Sequence, residues 1–385
     1  MPRKVCVVVT ARPSYSRIRS VLTAVNEHPE LELQLVVAAS ALLDRYGNAI
    51  EVMRSEGFDI ARQVYMILEG ENLVTSAKST GLGLAELATV FDNLQPDVVI
   101  TVADRFETMA TAVAAAYMNI PLVHVQGGEV TGSIDEKVRH AVTKLADHHF
   151  VATQQAAERV IRMGERPERV YVTGCPSIDV AKHAVSAGVF NIDAVFADYG
   201  GVGPKLDLSN GFVVVMQHPV TTEYAASRDH IFETLHAIAD SGVPALWFWP
   251  NVDAGSDGTS KGIRNFREER PDLPIHFFKN LPPEDFLQLL QMSSCIVGNS
   301  SVAIRECAYL GVPAVNIGSR QSGRDRGANV VDVEYDRAAI LAAIQAQLEK
   351  GHTKSDPLYG DGEAGGRIAE HLVTVALDVE KRLDY

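Results

Sequence analysis

Short runs of uninterrupted apolar residues alternate with longer amphipathic stretches along nearly the whole chain, and this alternation limits the possible folds more than any other feature. Strand-like runs fall at Val5–Val9, Leu33–Ala38, Val98–Val102, Leu122–Val125, His149–Val151 and Val170–Val172. Between them the spacing predicts helices over Ser16–Asn26, Ala49–Glu56, Leu84–Leu94, Glu107–Met118, Glu136–Asp147 and Gln155–Met163. In the first of these, Ile18, Val21, Leu22 and Val25 recur at i, i+3, i+4 and i+7, which is one face of a helix. A strand that is apolar on both faces must be covered on both, as in a parallel sheet flanked by helices. The expected fold class is α/β.

The pattern loosens after residue 185. The stretch Gly200–Asn210, with Gly203-Pro204 inside it, reads as a connection between domains. The alternation then resumes, with strands at Phe212–Met216, Ala245–Trp249, Ile275–Phe277, Cys295–Val297, Ala314–Ile317 and Val330–Val333. Helices fit Ala225–Asp240, Lys261–Glu269, Pro283–Met292, Val302–Leu310 and Arg337–Leu348, and a last one follows the turn-like YGDG from Ala364 onward. A chain of 385 residues has room for two such domains. Their expected limits are 1–185 and 205–362.

A net charge of −14 argues against a nucleic-acid surface, which needs a basic stripe. No apolar run reaches the length of a membrane span, and VCVVV after MPRK is too short for a signal peptide. Cys6, Cys175, Cys295 and Cys307 have no CxxC spacing and read as buried free thiols in a reducing compartment. A cytoplasmic protein is expected.

In open α/β sheets, ligands bind beyond the carboxyl ends of the strands, so the loops at those ends carry the candidates. PLVHVQGGEVTGSIDEKVRH, residues 121–140, leaves a strand at Gly127-Gly128, presents Glu129 and re-enters a helix at Asp135-Glu136. Its glycines let the backbone pass close to a ligand, while Asp135 also fits a helix N-cap. Arg12 in TARPSYS can reach a phosphate or lie on an exposed capped turn. Asp104 and Arg105 follow VVITV, where they can pair locally, cap the next helix or face a ligand. His218 ends the run FVVVMQH and either fills a satisfied core position or bonds a phosphate or sugar. Asn251 and Asp253 in WPNVDAG can hold hydroxyl groups or form Asx turns. GNSSVAIRE puts Ser300 and Ser301 at a helix start, where hydroxyls, main-chain N–H groups and the helix dipole favour a phosphate, with simple capping as the alternative. Glu306, further along that helix, can accept from ribose hydroxyls. Arg320, Arg324 and Arg326 in GSRQSGRDRG can clamp a diphosphate or stay solvated. The loop TARPSYS has no GxGxxG, so a dinucleotide fingerprint is absent there, and no cluster has metal-ligand spacing. Neither a metal nor another cofactor is expected.

ADRFE, HVQGGEVTGSIDEKVRHAVTKLA, TGCPSID, QHPVTTE, PNVDAGS, GNSSVAIRE, SRQSGR and YGDG, in this order, resemble hydrolysing UDP-N-acetylglucosamine 2-epimerases. The wider group includes the non-hydrolysing epimerases. The resemblance spans roughly Val5 to Ile368. It implies a GT-B architecture: two Rossmann-like parallel-sheet domains, an interdomain cleft holding the active site, and a C-terminal helix, 364–385, packing back on the first domain. It also implies a UDP-sugar substrate and the conversion of UDP-GlcNAc and water to ManNAc and UDP. In that reaction the nucleotide is eliminated across C1–C2 to a glycal, and water then adds at C1 with protonation at C2. Asp104, Glu129 and Asp135 are the implied acid/base groups, with no assignment of steps among them. His218 and Arg105 would steady the departing diphosphate. Ser300 and Ser301 would hold phosphates, Glu306 the ribose, and Arg12, Asn251, Asp253 and Arg320 the nucleotide or its surroundings.

Three positions depart from the pattern. Ala41 stands where relatives often have histidine, Gln126 where many have glutamate, and Ala103 where glycine is usual. A neutral amide at 126 cannot act as a base. The readings left open are the same chemistry on a UDP- or GDP-linked modified 2-acetamido sugar of the legionaminic-acid type, a non-hydrolysing epimerase, a glycosyltransferase, and a non-catalytic nucleotide-sugar binder. The main reading feeds sialic-acid-like sugar synthesis. A homo-oligomer, dimer or tetramer, is expected. The apolar surplus of Met109–Met118 suits a subunit interface, and core packing explains it as well.

Overall fold

The computed structural model describes the chain apart from residues 45–46, 70–72, 103–104, 132–134, 189, 221–222, 224–225, 251–255 and 384–385, and apart from the side chains of residues 73, 256 and 257. The chain divides into two units. One comprises Met1–Glu129, Ile134–Val180 and Gly360–Tyr385, the other Val130–Ser133 and Ala181–Tyr359.

Among the described residues of the first unit, seven parallel strands form one sheet: β1 (Arg3–Val9), β2 (Leu31–Ala38), β3 (Ile60–Val64), β4 (Val98–Val102), β5 (Leu122–Val125), β6 (His148–Val151) and β7 (Val170–Val172). Their order is β3-β2-β1-β4-β5-β6-β7. β1 shows why the run is apolar throughout. Val5, Val7 and Val9 pack on one side with Val21, Leu22 and Val25 of the Arg19–Glu27 helix. Cys6 and Val8 pack on the other with Leu87, Phe91 and Val142. Burying each such valine or leucine contributes about 1.5–3 kcal/mol.

The second unit repeats the plan with β8 (Val213–Met216), β9 (Ala245–Phe248), β10 (Ile275–Phe278), β11 (Cys295–Gly298), β12 (Ala314–Ile317) and β13 (Val330–Val333). The order is β10-β9-β8-β11-β12-β13. Val213 and Val215 meet Ile231, Leu235, Ile340 and Ile344 on one face. In both sheets the winding reverses beside the first strand, between β1 and β4 and between β8 and β11. At such a reversal the neighbouring loops part and leave room for a ligand.

The structure adds elements to the sequence pattern. β3 is partly exposed and carries Arg62 and Gln63, so it lacks an apolar run. The helix expected at Leu84 begins at Leu73. Helices Pro176–Ser186 and Ile192–Tyr199 lie before the Gly-rich stretch. That stretch is no free connection. Val202 exchanges main-chain hydrogen bonds with Phe277 at 2.9 and 2.8 Å, and the His276 ring nitrogens lie 3.0 Å from the carbonyl oxygens of Gly200 and Pro204.

The last helix is shorter than 364–385, running from Ala364 to Thr374. Asp179 fixes its start by accepting from the N–H groups of Ala364 and Gly365 at 2.9 and 2.7 Å. Its Ile368, Ala369 and Leu372 complete the core around Val21 and Leu22. It stops because Val375 turns extended and the following side chains find partners elsewhere. Asp378 pairs with Arg169 at 2.6 Å and Lys381 with Glu165 at 2.7 Å.

The apolar surplus around residue 110 is spent in the core, where Ala110, Ala112, Ala114 and Ala115 are buried. All four cysteines are buried, and none forms a disulfide. No described helix is long and apolar enough to cross a membrane.

Candidate functional site

The first unit gathers its candidates where β1, β4 and β5 end. The Thr10 carbonyl accepts from the Ala41 N–H and the Ser40 hydroxyl, each at 3.1 Å, which joins the exits of β1 and β2. Arg12 opens a short helix, Arg12–Ser16, where the sequence offers a capped turn. Its guanidinium lies over Gly47, where a Cβ would stand 2.6 Å from Nη1. Arg105 forks onto the buried Glu107 with bonds of 3.3 and 3.4 Å, and its carbonyl accepts from the Thr108 hydroxyl at 2.6 Å. Asp104 lies outside the described residues, as do Asn251 and Asp253 of the second unit.

The β5 exit is wedged tightly between two helices. Gly128 has φ +75°, and a Cβ on it would come 2.2 Å from the Ala156 carbonyl oxygen, so only glycine fits. Gln126 also takes a left-handed φ of +67°, and its amide donates to Cys175 Sγ at 3.0 Å. Glu129 is buried, 6% exposed. Asp135 begins the Asp135–Leu145 helix, where a carboxylate is favoured by the helix dipole. Fully buried Arg139 braces this segment from that same helix: Nη1 donates to the Glu129 carbonyl at 2.9 Å and to Glu136 at 2.6 Å. Arg139 is not among the candidates that the sequence pattern offers.

In the second unit His218 lies two residues beyond the end of β8 and is buried. Asn299, fully buried at the end of β11, bonds the main chain of His218. Arg320 Nη1 and Gln321 Nε2 donate to the Asn299 carbonyl at 3.2 and 2.8 Å. Ser300 caps a three-residue turn, Ser301–Ala303, by accepting from the Val302 N–H at 3.4 Å. The continuous helix expected from Val302 is broken, and a five-residue helix starts only at Glu306. Two side chains account for the break. Arg305 turns back to the Ser301 hydroxyl at 2.9 Å, and Asn329 takes the Ala303 carbonyl at 3.2 Å. A dipole from so short a helix is weak, so the polar character here comes from Ser300, Arg305 and Arg320. Glu306 Oε2 is buried with no hydrogen-bond partner among the described residues. Arg326 is a brace rather than a clamp, forked onto Asp332 at 2.9 and 3.1 Å.

Burial lowers the pKa of His218 well below the usual histidine range, and the nearby charge of Arg320 adds to this. His148 and His149 of the first unit are also lowered by burial, and the bond from His149 to Glu165 only partly opposes it. All three are neutral when folded near neutral pH. Unfolded histidines take up a proton below about pH 6.5, so stability falls as the pH drops through that value towards the folded pKa. Each contributes a loss of up to about 1.4 kcal/mol per pH unit, partly offset where buried carboxyls with raised pKa, such as Asp147 and Asp179, bind protons in the folded state. Urea midpoints at about pH 7 and about pH 5.5 check this, and an equal or higher midpoint in acid contradicts it.

Both units therefore present their polar side chains at a sheet reversal: carboxylates and arginines in the first, a neutral histidine, hydroxyls and arginines in the second. Among the described residues no group of His, Cys, Asp or Glu is arranged to hold a metal ion. A sequence model of the family described as UDP-N-acetylglucosamine 2-epimerase matches residues 23–373. The chain belongs to this family. Its epimerase relatives include the UDP-N,N'-diacetylbacillosamine 2-epimerase (hydrolyzing) of Legionella pneumophila, 33% identical over 98% of this chain and 97% of that protein. The UDP-N-acetylglucosamine 2-epimerase of Neisseria meningitidis serogroup B is 29% identical over 94% of this chain and 92% of that protein. A crystal structure of UDP-GlcNAc 2-epimerase from Neisseria meningitidis bound to UDP-GlcNAc matches with a TM-score of 0.81 at 17% identity, covering 97% of this chain and 100% of that one. The epimerase fold is GT-B, two α/β units each built on a parallel sheet.

Proposed function

We propose that this epimerase is hydrolysing and converts UDP-GlcNAc and water to UDP and ManNAc. The observation that carries the reading is the acidic β5 exit, with Glu129 buried and the segment around Asp135 braced by fully buried Arg139, in a chain of this family. The C2 proton of a GlcNAc unit is not acidic enough for direct exchange. Loss of that proton to a carboxylate as the C1–O bond breaks avoids a free carbanion and releases UDP. Water then adds its hydroxyl to C1 while a carboxylate takes its remaining proton, and an acid delivers a proton to the other face of C2.

Glu129, Asp135 and Asp104 supply the acid/base groups in this proposal. His218, being neutral, donates a hydrogen bond rather than charge to the leaving diphosphate, and Arg105 and Arg320 supply the positive charge. Ser300 and Ser301 hold phosphate oxygens, and the buried Oε2 of Glu306 suits a ribose hydroxyl. Arg12, Asn251 and Asp253 surround the nucleotide.

A second reading, UDP-N,N'-diacetylbacillosamine as substrate, is favoured by the Legionella relative and by Ala41. Ala41 stands where relatives often have histidine, which removes a polar contact near the sugar. Each nucleotide sugar is incubated separately, and UDP and free sugar are quantified. The preferred substrate should exceed the other by at least about tenfold in kcat/KM, and in D2O the product should carry deuterium at C2. A UDP-linked epimer without free sugar points to the non-hydrolysing reaction, and intact substrate in both cases overturns the proposal.

A further inference from the structure

We propose that Asn299 is a positioning residue for the epimerase reaction, setting the place of His218 by continuing the β8–β11 ladder with its side chain. The proposal rests on the reading above in which His218 bonds the leaving diphosphate.

β8 and β11 are parallel neighbours, paired up to Met216 and Gly298. The last main-chain bond between them runs from the Asn299 N–H to the Met216 carbonyl at 3.1 Å. Beyond it the two chains part, as they must at the sheet reversal, and His218 would lose its ladder partner there. The Asn299 side chain replaces that partner. Its Oδ1 accepts from the His218 N–H at 2.7 Å, and its Nδ2 donates to the His218 carbonyl at 2.8 Å.

A carboxamide has the same donor and acceptor pair as a peptide unit, so asparagine can act here as one more rung. Two bonds of opposite sense fix both the N–H and the C=O of His218, and so the direction of its side chain. Serine or aspartate at 299 can make only part of this arrangement. Asn299 is 0% exposed, so neither bond competes with water.

The same residue also ties in the third strand exit. Its own carbonyl accepts from Arg320 Nη1 and Gln321 Nε2, beyond β12. Asn299 therefore links the loops that bear His218, Ser300 and Arg320. A role in orienting His218, as distinct from general support, makes a specific claim: the cost of losing Asn299 depends on whether His218 is present.

The test is a double-mutant cycle with Asn299→Ala, His218→Ala and the double variant, assayed for UDP release, with thermal midpoints as a folding control. Asn299→Ala should lower kcat by about tenfold or more with His218 in place, with a smaller change in KM, and by less than about threefold in the His218→Ala background. An equal loss in both backgrounds overturns the positioning role while leaving the reading of His218 intact. Unchanged kcat in Asn299→Ala overturns it as well. If His218→Ala is itself fully active, the reading of His218 fails, and the inference with it. Where Asn299→Ala does not fold, Asn299→Asp takes its place, since it keeps the shape and the acceptor for the His218 N–H but loses the donor. If neither variant folds, Asn299 is a folding residue and the proposal falls.

Discussion

Glu129→Gln and Asp135→Asn should each reduce kcat for UDP release by about a hundredfold to ten-thousandfold, with UDP affinity held within a few-fold. Both substitutions keep shape and hydrogen-bonding reach, so the main variable is the ability to exchange a proton. The framework survives each change. Arg139 holds residue 129 through its main-chain carbonyl, which Gln keeps, and Asn at the start of the Asp135–Leu145 helix remains a good terminal residue. UDP affinity should persist because most of the proposed nucleotide contacts lie in the other unit, and the two in the first unit, Arg12 and Arg105, are left unchanged. Full activity in either variant removes that carboxylate from the mechanism. Loss of UDP binding together with kcat shows damage to the fold instead.

Gly298→Ala should destabilise the second unit by more than about 3 kcal/mol, a loss reserved for a few severe mechanisms. Two effects combine. Gly298 has φ +136°, where a side chain is strained, and a Cβ there would lie 2.1 Å from the Met216 carbonyl oxygen. That oxygen belongs to the neighbouring strand and accepts the last bond of the ladder, so it cannot move without opening β8 from β11. Gly242 makes the control. It has φ +64° but no atom within 4 Å of the added Cβ, so Gly242→Ala should cost only about 1 kcal/mol from strain. Urea unfolding of both variants measures the difference. Equal losses would mean that the contact with Met216 contributes nothing.

The two sheets were legible in the sequence because their strands are short and apolar on both faces, as in VVITV and VCVVV. β3 was not, since IARQV lies at the edge of its sheet and is exposed on much of its surface. The long Leu73–Leu94 helix was legible only in its second half. Its first half holds Gly81 and Gly83, and a Cβ on Gly83 would stand 2.4 Å from the end of the Met66 side chain, which would have to shift. No local pattern reports such a contact between distant residues.

The same distinction runs through the candidate site. Polar residues directly after apolar runs, such as Glu129, His218 and Ser300, stand out because a strand exit is a local signal. Arg139, Arg305 and Asn299 act through buried bonds to groups brought near by folding, and a residue type alone does not name its partner. The break after Ala303 was hidden for that reason, as Asn329 reaches the Ala303 carbonyl.

The chain writes its first unit in separate pieces, and the final piece is the last to be made. Residues 181–359 leave the ribosome as an unbroken block with every strand of their sheet. The seven strands of the other sheet are made earlier still, but Ile368, Ala369 and Leu372, which cover Val21, Leu22 and Val25, come only afterwards. At synthesis rates of about 5–20 residues per second, that apolar face waits on the order of twenty to seventy seconds for its cover. During this interval the nascent protein offers chaperones and aggregation partners a surface that the finished enzyme does not have. A stop codon or slow decoding just before Gly360 would prolong that exposure without altering a single residue of either sheet.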